Sequence, residues 1–219
     1  MIDLKKIIGV PILILFLNLG FLFFYPEIIF SYPSILTIVL FEGFIILDIV
    51  VRPISTEEDQ YRRSRMFNSI LFLSMPFLMI TPIFERDNLS IMYLKLQELT
   101  LIAYVGIGIL LLGGIILLVS RYYLGQFGGP RIVLERDHQL ITRGTYRYIR
   151  HPIYLGMILL FIGYIISLAG ILVSIVWTFI LFIILRERII QEEELLKLRF
   201  GREYDEYVSR TCRLIPFLY

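Results

Sequence analysis

The chain has 219 residues, of which 58% are hydrophobic and only 18% charged, with a mean hydropathy of +0.78. Soluble domains carry roughly 45–50% apolar residues, so this composition excludes a solvated globule, a disordered chain and a collagen. A net charge of +2 argues against nucleic acid as a partner, and the lone Cys212 excludes an internal disulfide framework.

Crossing a bilayer as a helix takes about 20 mostly apolar residues. Six stretches qualify: 7–24, 34–51, 66–84, 99–120, 152–168 and 171–185. Helices are required because an open strand leaves its backbone polar groups unpaired in lipid. The first stretch follows Lys5 and Lys6 like a secretion signal, but Phe23, Phe24 and Tyr25 stand where small residues would mark cleavage. It is therefore predicted to remain as an uncleaved helix.

The second span holds Glu42 and Asp48. A carboxylate inside a membrane points to function by default, yet neither has an evident partner in sequence. Asp48 is near the polar end of the span and is expected to reach water. Glu42 is deeper, where pairing or protonation competes with a chemical role.

Between the fourth and fifth spans, residues 121–151 form a polar segment carrying both histidines, His138 and His151. Ordered segments of this length usually have a task. The segment ends in Tyr146, Tyr148, Arg147, Arg150 and His151, and then Pro152. Proline suits a first helical turn and pushes the preceding residue towards extended backbone. The fifth span thus starts with uncapped N–H groups, which attract a carboxylate. Interfacial anchoring by Tyr and Arg is an alternative use of the same residues.

Gly156, Gly163 and Gly170 recur every seven residues, a seam along which another helix can approach. The fifth and sixth spans follow each other so closely that they predict a tight hairpin. Beyond Leu185 no Gly or Pro intervenes until Gly201, so the sixth helix is predicted to run on into the cytoplasm. Arg188 and Glu192, four residues apart, share a face of that extension. Glu192, Glu193 and Glu194 by themselves suggest a solvated helix face.

Lys and Arg decide the orientation. With the N-terminus inside, segments 1–6, 52–65, 121–151 and 186–219 hold 19 of the 21, leaving only Arg86 and Lys95 outside. Positive loops stay cytoplasmic, so both termini are expected there. The predicted fold class is an all-α, polytopic membrane bundle of about six helices whose last helix extends into the cytoplasm. No phosphate loop, serine elbow or zinc spacing occurs. The residues alone leave a non-catalytic transporter or scaffold open.

The stretch His138-Gln-Leu-Ile-Thr-Arg-Gly-Thr-Tyr-Arg-Tyr-Ile-Arg-His-Pro-Ile-Tyr-Leu-Gly156 resembles the signature of the isoprenylcysteine carboxyl methyltransferase family. So does Glu192-Glu193, followed by Leu196, Phe200-Gly201, Tyr204, Tyr207 and Arg213-Leu-Ile-Pro216. The resemblance spans about residues 100–219 and implies a division into residues 1–98, with the first three spans, and a methyltransferase core of 99–219. It implies S-adenosylmethionine as cofactor, contacted by His138, Gln139, Leu140, Ile141, Tyr146, His151, Pro152, Ile153, Tyr154 and Glu192. Arg131 lies near a further cofactor position, and Arg188 matches the position that meets the substrate carboxylate. The implied partner is a lipophilic acceptor entering from the bilayer, such as a prenylated cysteine. One departure is visible: Gly144-Thr145-Tyr146 stands where the family has Gly-Pro-Tyr. Phospholipid-amine or small-thiol methylation within the same superfamily, and a sterol-type reductase using a nicotinamide cofactor, are the alternative enzyme classes.

Overall fold

The computed structural model describes residues 32–51, 81–82, 84–85, 96–127 and 139–214. The first span and most of the third lie outside the described residues, as do His138 and Arg131. Among the described residues the helices are, in chain order, α1 (Tyr32–Val51), α2 (Leu96–Leu124), α3 (Pro152–Ser167), α4 (Ile171–Phe200) and α5 (Arg202–Arg210), besides helical residues at 81–82 and 84–85. Short 3-10 turns at Gly125–Phe127 and Gly144–Arg147 lie within the polar segment. Among the described residues the only extended pairing is one parallel bridge between Ile149 and Cys212.

α2 and α3 form the centre of the bundle, and glycine brings them together. A Cβ on Gly156 would come 2.6 Å from the Leu117 nitrogen of α2, and one on Gly163 would collide with the backbone of Leu110. Facing them, Gly106 and Gly113 of α2 abut Ser167 and Leu160 with equal closeness. The seam predicted on one helix is thus matched on the other, and backbone meets backbone where dispersion contacts are densest. Gly170 continues the predicted repeat beyond α3 but packs against Pro82 instead.

α1 covers this pair, with Phe41 against the rings of Phe161 (5.3 Å) and Tyr164 (4.4 Å). Leu110, Leu117, Leu160, Ile165 and Leu185 complete a fully buried core. Outward, Val39, Leu112, Ile115, Ile175 and Phe179 are more than half exposed. An apolar core wrapped in apolar side chains is the pattern of a protein solvated by lipid. Both Pro33–Val51 and Thr100–Leu124 are long and apolar enough to cross a membrane.

Asp48 does not reach water. It is 4% exposed and accepts hydrogen bonds from Nε and Nη2 of Arg121, each at 2.8 Å. Burial of either charge is tolerable only with the other beside it, so α1 and α2 are pinned at their polar ends. A second distant carboxylate caps α4. Glu85 accepts from the backbone N–H groups of Leu172 and Val173, each at 2.7 Å, where the helix dipole favours negative charge.

The α3–α4 connection is as tight as predicted: Ala169 adopts a left-handed φ of 62°, and its N–H bonds Ile166 while that of Gly170 bonds Ile165. α4 then runs unbroken from apolar to charged sequence until Gly201, whose φ of 53° turns the chain into α5. That helix directs Tyr204 and Tyr207 inward and leaves Arg202, Glu203, Asp205 and Glu206 in solvent.

Candidate active site

The start of α3 and the charged half of α4 meet in one cluster. Pro152 opens α3, and His151 precedes it with φ −123° and ψ 56°; the His151 side chain does not itself cap this helix start. The two nitrogens of His151 face different carboxylates. Nδ1 is 3.6 Å from Glu192 Oε2 and Nε2 is 3.3 Å from Glu193 Oε1. The imidazole lies parallel to the Tyr154 ring at 5.7 Å, one helical turn further into α3.

Arg188 fastens the other side. Its Nε donates to Tyr154 Oη at 2.7 Å and to Glu192 Oε1 at 3.3 Å, and its guanidinium stands 5.9 Å from the Tyr154 ring centre. Tyr154 in turn donates to Glu192. The predicted face-sharing of Arg188 and Glu192 is therefore a real contact, closed by a tyrosine from the neighbouring helix.

Glu193, which sequence alone suggested was solvated, is the hub of a second set. It accepts from Arg150 Nε at 2.9 Å and Arg213 Nη2 at 2.7 Å, besides facing His151. Arg150 also donates to the carbonyls of Val208 and Thr211. Backbone bonds run from Arg150 N to Cys212 O (2.8 Å), from His151 N to Arg213 O (3.1 Å) and from Cys212 N to Tyr148 O (3.0 Å). Tyr207 donates to the Tyr146 carbonyl at 2.7 Å. The segment after α5 thus straps down the residues that present His151.

Charge states follow from these contacts. Burial opposes charging His151, but the hydrogen bonds and charges of Glu192 and Glu193 prevail and raise its pKa. Burial likewise works against ionised Glu192, and His151 and Arg188 overcome it, leaving the carboxyl below its ordinary range. Glu193, despite some burial, is drawn down to about 2 by His151, Arg213 and Arg150. Tyr146 is held neutral chiefly by burial, with Arg121 opposing and Glu192 adding to the upward shift.

Of the residues expected from sequence, the structure brings together His151, Tyr154, Arg188 and Glu192, with Tyr146 buried close enough to feel Glu192. Pro152 and Ile153 are buried in the first turn of α3. Gln139, Leu140 and Ile141 make no hydrogen bond or ion pair with the cluster among the described residues; Gln139 is exposed and Ile141 leans on the core. Glu193, Arg150 and Arg213 were missed as partners. A signal existed: Glu193 lies four residues beyond Ile189 and eight beyond Leu185, both buried, so helical periodicity turns it inward.

Lipid-facing helices around a buried, charged cluster at their polar end define an integral-membrane enzyme. The description of the isoprenylcysteine carboxyl methyltransferase (ICMT) family matches residues 106–198. A probable protein-S-isoprenylcysteine O-methyltransferase of Oryza sativa subsp. indica is 32% identical over 148 residues, 67% of this chain and 75% of that one. The protein-S-isoprenylcysteine O-methyltransferase of Rattus norvegicus is 27% identical over 131 residues, 59% and 46% of the two chains. In fold, the chain resembles a solved eukaryotic intramembrane Ras methyltransferase, ICMT, with a TM-score of 0.53 at 19% identity, covering 98% of this chain and 85% of that one. The chain belongs to the isoprenylcysteine carboxyl methyltransferase family.

Proposed function

We propose that the protein is an S-adenosylmethionine-dependent O-methyltransferase that esterifies the carboxylate of an isoprenylcysteine or a similar lipophilic acceptor. The observation that carries this reading is the convergence of His151, Glu192, Tyr154 and Arg188 where α3 and α4 meet. Family membership favours it over the reductase and transporter alternatives.

The residues present fit the cofactor. About a quarter of the Glu192 side chain is open to solvent, so an ionised carboxylate is within reach of an ammonium group. His151 and the N-terminal end of α3 suit the methionine carboxylate, and the Tyr154 ring offers a face to a cationic sulfur. When bound, the cofactor supplies an electrophilic methyl group on a sulfonium. The protein's own part is to hold the acceptor carboxylate in line with that methyl, an orientation worth roughly 7–11 kcal/mol at best. Tyr154 and Glu192 fix the Arg188 guanidinium, whose fork matches a carboxylate. With His151 protonated, the cluster holds four cations (Arg150, His151, Arg188 and Arg213) and two carboxylates. That excess favours an anionic acceptor and repels a protonated amine. A carboxylate also needs no base at neutral pH.

The wider arrangement we propose has six spans, both termini in the cytoplasm and the acceptor arriving through the lipid. Residues 1–98 form the N-terminal bundle beside a methyltransferase core of 99–219.

Purified full-length protein given tritiated S-adenosylmethionine is expected to place base-labile label on farnesylated N-acetylcysteine and none on its carboxamide. Arg188→Ala is expected to lose transfer at least tenfold while S-adenosylhomocysteine still binds by calorimetry. Equal collapse of binding and transfer would assign Arg188 to the cofactor instead; label on the carboxamide or on an amine lipid would overturn the acceptor class.

A further inference from the structure

We propose that Glu193 is a positioning residue that keeps His151 a doubly protonated imidazolium, so that the start of α3 presents a permanent cation to the site. The inference rests on the site assignment above, because its value to the enzyme is a fixed charge for an anionic ligand group.

Neutral imidazole has one N–H and one lone pair. Here both nitrogens face a carboxylate oxygen, Nδ1 facing Glu192 at 3.6 Å and Nε2 facing Glu193 at 3.3 Å. Losing either proton turns a lone pair towards an anion. Only the doubly protonated ring satisfies both neighbours. The two glutamates differ in what they are available for. Glu192 is about a quarter open and engaged with Tyr154 and Arg188 beside the ligand region, whereas Glu193 has a side chain only 12% exposed. Arg150 and Arg213 anchor Glu193 from the two backbone segments that embrace His151. Glu192 is thus placed to exchange partners when a ligand arrives, while Glu193 holds the imidazolium throughout.

Among the described residues, these charged or titratable groups around the ring enter the balance. α4 supplies Arg188, Glu192 and Glu193; α3 supplies the stacked Tyr154; the preceding segment supplies Tyr146 and Arg150. Tyr204 and Tyr207 of α5 lie within the field of Glu193 and Arg150, and Arg213 completes the set. The three arginines disfavour a further cation, and the ionised glutamates favour it. Removing the charge of Glu193 alone therefore leaves His151 facing Arg150 and Arg213 with half its support gone.

The test uses the full-length protein in detergent, labelled with ¹⁵N-histidine. Only His138 and His151 contribute ring signals, and His138→Gln assigns them. At pH 7 the wild-type His151 is expected to show two protonated nitrogens. In Glu193→Gln its titration midpoint moves down, Glu193→Asp restores it in part, and Arg213→Gln moves it up. General loosening of the site would shift Glu193→Gln and Arg213→Gln in the same direction, so opposite signs identify the electrostatic role. S-adenosylhomocysteine binding to Glu193→Gln then weakens about tenfold per pH unit above the lowered midpoint, while wild-type binding stays flat across neutrality. A singly protonated wild-type ring at pH 7, an unmoved midpoint in Glu193→Gln, or parallel shifts in both variants overturns the proposal. If Glu193→Gln does not fold, Glu193→Asp and Arg213→Gln carry the test: a lowered midpoint in the first and a raised one in the second support the proposal, and unmoved or parallel midpoints overturn it. A ring that behaves as expected in a protein that binds no S-adenosylhomocysteine sinks the methyltransferase assignment and leaves the role of Glu193 intact.

Discussion

His151 and the two glutamates around it make stability depend on pH with opposite slopes. Glu192 and Glu193 have folded pKa values below 4.5, so their contribution is complete above that value and fades as pH falls, for Glu193 towards about 2. His151 has a folded pKa above 6.5; its contribution is complete below that value and fades as pH rises through the folded value. Thermal unfolding in detergent is therefore expected to peak between about pH 4.5 and 6.5, and a melting temperature rising steadily from pH 5 to 9 would contradict the pairing. At this scale His151, Tyr154, Arg188 and Glu192 were legible, because the motif pointed to all four and helical spacing also put Arg188 and Glu192 on one face. Glu193 was obscured by the acidic run containing it, which looks solvated until the face is traced back through Ile189 and Leu185. The Asp48–Arg121 pair was out of reach of any local pattern, since 73 residues separate its members.

Helix pairing turns on where a methyl group has room. Gly163→Ala pushes a Cβ into the backbone of Leu110, with an expected cost of about 1–3 kcal/mol. Gly108→Ala, on the same pair of helices, meets nothing within 4 Å and is expected to be neutral or to gain up to about 1 kcal/mol of helix propensity. Melting curves of the two variants should diverge; similar losses from both would mean that the seam is ordinary membrane-helix composition. Glu85→Ala, which uncaps α4, is expected to cost about 0.5–2 kcal/mol and to leave S-adenosylhomocysteine affinity unchanged, as calorimetry can check. The sequence showed one half of the glycine seam and the full run of α4, since glycine spacing and the lack of helix breakers are local signals. The second half, Gly106 and Gly113, became meaningful only once α2 faced α3. Glu85 is likewise distant in sequence from the N–H groups it caps.

For the molecule as a whole, composition had already settled the solvent, and the exposed aliphatic residues of α1, α2 and α4 agree with it. Orientation rests on the distribution of Lys and Arg, and Cys212 provides a clean test as the only cysteine. An impermeant maleimide is expected to label it in inside-out vesicles and not in right-side-out ones; the reverse would invert the proposed topology. The spans that are poorest in chemical motifs, in residues 1–98, gave the sequence least to say beyond hydropathy.

α4 carries its lipid-facing turns and its ion-pair cluster on one unbroken rod of 30 residues, about 45 Å long. Arg188 and Glu192 ride on that rod, while His151 is fixed to the shorter α3. The apolar part of α4, residues 171–185, is short for a typical hydrocarbon core, so bilayer thickness is expected to bear on how that rod sits and, with it, on the register of Arg188 and Glu192 against His151. Turnover is accordingly expected to vary with acyl-chain length, which assays in vesicles of graded chain length check; an unchanged rate would mean that the cluster is held independently of the bilayer.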